Sequence, residues 1–202
     1  MVKGVLGKHY FLDAVQDGWD GTFYNIFIVW ILSYCINWLG MPLIQTYIIT
    51  IIACIFKIPF TLFGGWCAQK LGNTRTFVIG ALASAVLSIP TLKVIELSKG
   101  NLAITIIGIV LGWSIAYNLI WAVISSLWSS YFETEVRYSG ISFVYHVPSF
   151  LVAGMVPTIC TLLINYRKGD TYYVGIYSTV VALISAACAL ALKARHDRGE
   201  EI

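Results

Sequence analysis

Gly64-Gly65-Trp66-Cys67-Ala68-Gln69-Lys70-Leu71-Gly72-Asn73-Thr74-Arg75 is the stretch on which the reading of the fold turns. It gathers glycines and bases between two long apolar runs, which is the pattern of a basic hairpin loop joining two membrane-crossing helices. A helix rising about 1.5 Å per residue needs roughly 20 apolar residues to cross the bilayer core. The 202-residue chain therefore has room for about six spans. Worked outward from the loop, the second span is expected over 42–65 and the third over 76–97. The first is expected over 10–39, the fourth over 102–127, the fifth over 139–165 and the sixth over 172–192. Prolines 42, 59, 90, 148 and 157 fall in or beside these spans, where neighbouring helices can satisfy the carbonyls that proline frees.

The bulk composition agrees. Hydrophobic residues make up 58% of the chain and charged residues 11%, against about 25% charged in soluble domains, and the mean hydropathy is +0.80. The fold class expected is all-α, a polytopic membrane protein with one transmembrane domain over 1–202. A net charge of +3 with bases scattered among short loops is a topology signal and gives no footprint for nucleic acid. With both termini inside, the cytoplasmic segments hold Lys3, Lys8, Lys70, Arg75, Arg137, Lys193, Arg195 and Arg198. The opposite side holds Lys93, Lys99, Arg167 and Lys168, so the basic bias favours cytoplasmic termini. The five cysteines are scattered without metal-ligand or disulfide spacing, and read as packing residues. Neither a metal nor a cofactor is expected, nor a cleavable signal peptide, since the first apolar run lacks a small-residue cleavage site.

The opening stretch resembles the loop between the second and third helices of each half of major facilitator transporters, G-x-x-[SA]-D-[RK]-x-G-R-[RK]. Gly65, Ala68, Lys70 and Gly72 match, Arg75 falls one place late, Gln69 replaces the customary acid and Asn73 a customary base. A second segment, Ser130-Tyr131-Phe132-Glu133-Thr134-Glu135-Val136-Arg137-Tyr138-Ser139-Gly140, resembles the E-L-F-P-T-x-V-R-Y-T-G run of the same superfamily. Thr134, Val136, Arg137, Tyr138 and Gly140 match there, while Ser130 and Glu133 depart. Ile141-Ser142-Phe143-Val144-Tyr145-His146 resembles the family's G-L-S-x-x-Y-N, with His146 in place of the amide. Phe27-Ile28-Val29-Trp30-Ile31-Leu32-Ser33-Tyr34 resembles a first-span run of the metabolite:proton symporter branch.

The resemblance implies the C-terminal six-helix half of a major facilitator fold, a 3+3 inverted repeat. It also implies that the loop residues Gly65, Ala68, Lys70, Gly72, Arg75, Arg137 and Gly140 govern conformational change, the loop's acid and bases latching helix ends in the family. With Gln69 in place of the acid, that latch is expected to be weak here.

Polar groups inside the spans are expensive, about 2.5–3.5 kcal/mol for an ionised residue at the helix centre on insertion scales, so each calls for a partner or a task. Asp13, Asp17 and Asp20 fall on one helical stripe that Tyr24 extends. They read either as a solvated first turn or, for Asp17 and Asp20, as part of a substrate or proton pathway. Lys57 lies inside the second span, counted about 13 Å from its cytoplasmic end. It is expected either to pair with Asp17 or Asp20 or to snorkel. His146 is either a proton relay or a packing histidine. Ser114, Asn118, Trp121 and Ser125, with Tyr117 beside them, form a stripe on the fourth span that lines a cavity or makes an interhelical seam. Gly108 and Gly112 read as a close-packing pair. The pathway candidates are thus Asp17, Asp20, Tyr24, Lys57, Tyr117, Asn118, Trp121, Tyr145 and His146.

Three function classes compete. An intramembrane enzyme would need a serine–histidine pair in a G-x-S-x-G context or an H-E-x-x-H motif, and the sequence has neither. A channel or purely structural subunit would carry no transport of its own, and no selectivity-filter repeat supports a channel. The leading expectation is a secondary transporter half, working by proton-coupled symport of a small polar metabolite such as an organic acid. It would sit in the lipid bilayer of the cell membrane, with a second six-helix half supplied by another chain or by a copy of this one.

Overall fold

A computed structural model describes residues 21–131 and 137–196. Every regular element among them is helical. Helix α1 is Gly21–Asn37, with a π-helical stretch over Asn25–Trp30. Helix α2 is Leu43–Leu71 and α3 is Asn73–Leu97. Helix α4, Leu102–Ser129, widens into a π-helix over Val110–Tyr117. Helix α5 is Arg137–Leu151, α6 is Ala153–Tyr166 and α7 is Tyr172–His196.

Four helices are long and apolar enough to cross a membrane. Leu43–Leu71, Asn73–Leu97, Leu102–Ser129 and Tyr172–Ala194 have mean hydropathies of 1.9–2.0, and each exceeds the roughly 20 residues a bilayer core requires. The expectation of six full spans is therefore met by four among the described residues. Helix α1 is described only from Gly21, and the span expected over 139–165 is two helices. Pro157 accounts for the second difference. Its ring clashes with the carbonyl four residues back, that of Ala153, and the chain takes a 3-10 turn over Ala153–Met155. Pro59 and Pro90, by contrast, sit inside unbroken helices.

The loop at 64–75 is also shorter than the sequence implies. Helix α2 continues through Leu71, and Gly72 alone separates it from α3. Gly72 sits at φ 89°, ψ 154°, a conformation that a side chain disfavours. Its carbonyl accepts from the Thr76 N–H and hydroxyl at 3.1 and 3.0 Å. Gly64 is a packing residue in α2, where an added Cβ would come within 2.7 Å of the Ala122 Cβ on α4.

Helix α3 runs down the centre, most extensively against α7. Small residues make that seam: Ser84, Ala85 and Ser88 face Ser178, Ala182 and Ser185, all buried. The Ser88 and Ser178 hydroxyls meet at 3.0 Å and Thr179 donates to the Ala85 carbonyl at 3.0 Å, as membrane helices do when backbones approach closely. Gly108 and Gly112 of α4 lie against Ile95 and Thr91 of α3, the close packing their spacing anticipates. Helix α2 keeps an apolar face outward, with Ile44, Ile51, Ile58 and Leu62 each exposed by more than half. Such a face is costly in water and suits hydrocarbon.

Candidate functional site

A cavity of about 500 Å³ opens where α1, α4, α5 and the start of α6 meet. Helix α1 contributes Gly21, Tyr24 and Asn25, α4 contributes Tyr117 and Trp121, and α5 contributes Tyr145 and Ser149. The irregular turn of α6 closes it with Ala153 and Gly154. Tyr117 lies close to the middle of α4, so the cavity is at mid-depth. Both π-helical stretches flank it. Phe27 lies against Gly112, and Phe23 stacks on Tyr117 with ring centroids 5.5 Å apart. Widened turns of this kind re-aim side chains locally. Here they bring Asn25 and Tyr117 to one cavity, and Asn25 Nδ2 donates to the Gly21 carbonyl at 2.8 Å.

Lys57 stands beside this cavity. Because α2 runs from Leu43 to Leu71, Lys57 is fourteen residues from either end, about 21 Å, and so at the helix centre. The distance of about 13 Å counted from Gly65 becomes about 21 Å when taken from the helix end at Leu71. Its ammonium lies over three rings of α4, 4.8 Å from the centroid of Trp113, 5.6 Å from Tyr117 and 4.7 Å from Trp121. All three are within cation–π range. Two of the three also wall the cavity.

The polar stripe on α4 divides. Ser114 and Asn118 are fully buried and donate across to α2, Ser114 Oγ to the Ala53 carbonyl at 2.8 Å and Asn118 Nδ2 to the Lys57 carbonyl at 2.6 Å. They form the interhelical seam, and Asn118 is not on the cavity wall. Trp121, next on the stripe, is on the wall, and Ser125 is exposed. His146 is not among the residues lining this cavity. His146 is exposed and packs edge-on against Tyr145 at 5.2 Å, beside the wall and not on it. Tyr24, Tyr117, Trp121 and Tyr145 are therefore the sequence-derived candidates that the fold brings together. Asp13, Asp17 and Asp20, with the pairing expected for Lys57, lie outside the described residues.

The conformational-loop candidates are dispersed along helices. Gly65, Ala68 and Lys70 belong to the last turns of α2, with the Lys70 ammonium 4.2 Å from the Trp66 ring centroid. Arg75 is exposed in the first turn of α3. Arg137 and Gly140 open α5, and their side-chain surroundings lie outside what is described.

Two groups escaped the sequence reading. Trp113 was legible in principle, because positions 113, 117 and 121 recur at a spacing of four and share one helical face. The other group is an ionic cluster at the far end of α3. Lys93 Nζ donates to both Glu96 oxygens at 3.1 and 3.0 Å and to Asp170 Oδ1 at 2.6 Å. Glu96 Oε2 also accepts from the Thr171 N–H at 2.9 Å and hydroxyl at 2.7 Å. The i, i+3 spacing of Lys93 and Glu96 was its only sequence signal. No group of three or more metal-ligating side chains occurs among the described residues.

Comparison with known proteins gives transporters. The shikimate transporter of Escherichia coli (strain K12) is 30% identical over 128 residues, covering 63% of this chain and 29% of that protein. A Staphylococcus haemolyticus (strain JCSC1435) protein provisionally named a proline/betaine transporter is 25% identical over 183 residues, 88% of this chain and 38% of that protein. A Haemophilus influenzae (strain ATCC 51907 / DSM 11121 / KW20 / Rd) protein provisionally named a metabolite transport protein is 30% identical over 156 residues, 77% of this chain and 34% of that one. The chain thus spans about a third of the length of these relatives. No family model matches it, and no solved structure matches at a significant level.

Proposed function

We infer the function from kinship: the chain is homologous to transporters of the major facilitator superfamily and is a multi-pass membrane protein. We propose that it is a six-helix half of a secondary transporter, the C-terminal half on the motif resemblance, carrying a small polar metabolite such as an organic acid by proton-coupled symport. Both termini would be cytoplasmic in the cell membrane. The observation that carries the reading is the mid-depth cavity with Tyr24, Tyr117, Trp121 and Tyr145 on its walls and a lysine at its flank. A cavity of this size fits a small metabolite. Polar groups at membrane depth are tolerated where they line such a space and are costly facing hydrocarbon.

In this reading the wall tyrosines offer hydroxyls to the substrate, and Lys57 supplies positive charge near a carboxylate. Asp17, Asp20 and His146 are the proton-carrying candidates. The cavity would be completed by a second six-helix half, from another chain or another copy, and alternating access would be the rocking of one half against the other. The test is reconstitution of the chain in liposomes, alone and with the candidate second half, with shikimate uptake followed under an inward proton gradient. Gradient-driven uptake only when both halves are present is expected. Equal uptake by a cross-linked, strictly monomeric chain would overturn the half-transporter reading.

A further inference from the structure

We propose that the Gly72 end of α2 is a docking surface for an anionic phospholipid. Trp66 and Lys70 receive the lipid at the boundary between acyl chain and headgroup, and Arg75 adds charge beside them. The inference needs the chain to lie in a bilayer and is independent of whether it transports.

The heights along α2 set the stage. Tyr47 and Trp66 stand ten and nine residues to either side of the central Lys57, about 15 and 13 Å along the axis. A hydrocarbon core about 30 Å thick ends at those heights, where tyrosine and tryptophan rings gather. Both rings are about half exposed, at 54% and 50%. Phe63 stacks on Trp66 from the core side, with ring centroids 5.7 Å apart. Lys70 lies one turn further out, about 20 Å from the helix centre and so among the headgroups. Its ammonium is 4.2 Å from the Trp66 centroid, which joins ring and charge into one unit. An ammonium has three donors, so contact with the ring leaves others for a phosphate oxygen. These side chains point away from the bundle. Gly64 packs α2 against Ala122 of α4, and Trp66 and Lys70 are turned from it by about 200° and 240°.

The charge at this end is one-sided. From Gly21 to Ile95 the sequence holds no Asp or Glu, and Gln69 stands where the resembling loop carries its acid. Among the described residues neither Lys70 nor Arg75 lies within ion-pair distance of a carboxylate, whereas Lys93 at the far end meets two. Two such bases beside a half-exposed aromatic pair complement a negative headgroup above an acyl chain. A zwitterionic head brings a cation of its own, which these bases repel. The anionic head thus supplies the negative charge that Gln69 lacks.

The test places the whole chain in phosphatidylcholine nanodiscs with increasing fractions of tail-brominated phosphatidylglycerol or, in parallel, tail-brominated phosphatidylcholine. Bromine quenches nearby tryptophan, and the part of the quenching lost in Trp66→Phe reports this surface. Both faces of a nanodisc carry the same lipid, so the outcome does not depend on which end is cytoplasmic. The curves should give phosphatidylglycerol an affinity about tenfold or more above that of phosphatidylcholine, on two bases at headgroup depth. Lys70→Gln combined with Arg75→Gln should remove the preference. Gln69→Asp, which restores an acid, should reduce it about fivefold. Lys168→Gln, the loss of one charge at the other end, should leave it unchanged.

Should a variant fail to fold, the native chain still decides, because equal curves for the two lipids would overturn the proposal. A preference that survives the double substitution would do the same. Inorganic phosphate at matched ionic strength should leave the curves in place. Displacement by it would make this a free-anion site and overturn the lipid assignment. If Trp66→Phe loses none of the quenching, the face is covered by protein, such as a second copy of the chain, and the proposal falls.

Discussion

The two ends of the helical bundle are held together by different means. At one end α2 and α3 meet through Gly72 alone, with Asn73 Nδ2 donating to Ser126 Oγ at 2.8 Å as a cross-link to α4. The bases there, Lys70 and Arg75, are exposed. At the other end Lys93, Glu96, Asp170 and Thr171 join α3 to the turn before α7. Tyr34 of α1 donates to the Gly169 carbonyl at 3.1 Å, and Gly169 itself packs on the Trp38 ring. The difference follows from chain distance. Helices adjacent in sequence are held by the backbone of a one-residue turn, so side chains there are free for other uses. Segments 75 or more residues apart, like Glu96 and Thr171, have no such tether and are joined by charge-assisted hydrogen bonds, the strongest kind available.

Assigning the ends to the two faces of the membrane gives the largest expected effect. If the Gly72 end is cytoplasmic, a cysteine at Gln69 should react with a membrane-impermeant maleimide only from the inside. A cysteine at Tyr166, which is 81% exposed, should react only from the outside. Gly169 is a poor reporter, since its φ of 102° and the Trp38 ring leave no room for a side chain. Inverted labelling would exchange the roles of the two ends and remove the basis for cytoplasmic termini.

What could be read beforehand divides along the same physical line. The long helices were legible because apolar length is a property of each segment alone, and Leu43–Leu71, Asn73–Leu97, Leu102–Ser129 and Tyr172–Ala194 answer to it. The aromatic wall was legible in part, since Tyr24, Tyr117, Trp121 and Tyr145 stand out against aliphatic surroundings. Direction was not legible. Asn118 and His146 share the depth of the cavity yet do not line it, because a helix's rotation is set by its neighbours and not by its own sequence. Gly64 and Gly65 suggested a loop, but in a membrane helix glycine equally permits close approach, and Ala122 takes the space that a Gly64 side chain would occupy. From the sequence, Lys93, Arg167 and Lys168 read only as topology charges. Nothing local showed that Glu96 and Thr171 would meet.

The two kinds of tie should differ in strength. Glu96→Ala removes an acceptor of three donors from two segments and leaves the Lys93 charge with one carboxylate fewer. The expected loss is about 2–3 kcal/mol, as for hydrogen bonds to charged groups. Gly72→Ala places a Cβ at φ 89° and should cost about 1–2 kcal/mol in backbone strain. Thermal unfolding in detergent micelles, native against each variant, gives the order. A smaller loss for Glu96→Ala than for Gly72→Ala would mean that the ionic cluster is solvated and contributes little, and that the backbone holds both ends.

The smallest effect is a dependence on pH confined to the charged end. The hydrogen bond from Lys93 holds the Asp170 carboxyl below its ordinary range, with the Tyr172 N–H, 2.8 Å from Oδ1, adding to it. A carboxylate whose folded pKa is depressed binds protons more readily when unfolded. It therefore contributes stability that is fully present above the unfolded value near 4 and is lost as pH falls through the lower folded value. Asp170 is about a third exposed, so water screens the pair and the contribution should stay under about 1 kcal/mol. Asp170→Asn should thus unfold a few degrees below the native chain at pH 7, with the two melting temperatures converging as pH falls below 4. The same variant should leave the gap between native and Gly72→Ala unchanged at every pH, because that difference is conformational and carries no proton. Melting temperatures that stay apart at pH 3 would show that Asp170 acts through the shape of its turn and not through its charge.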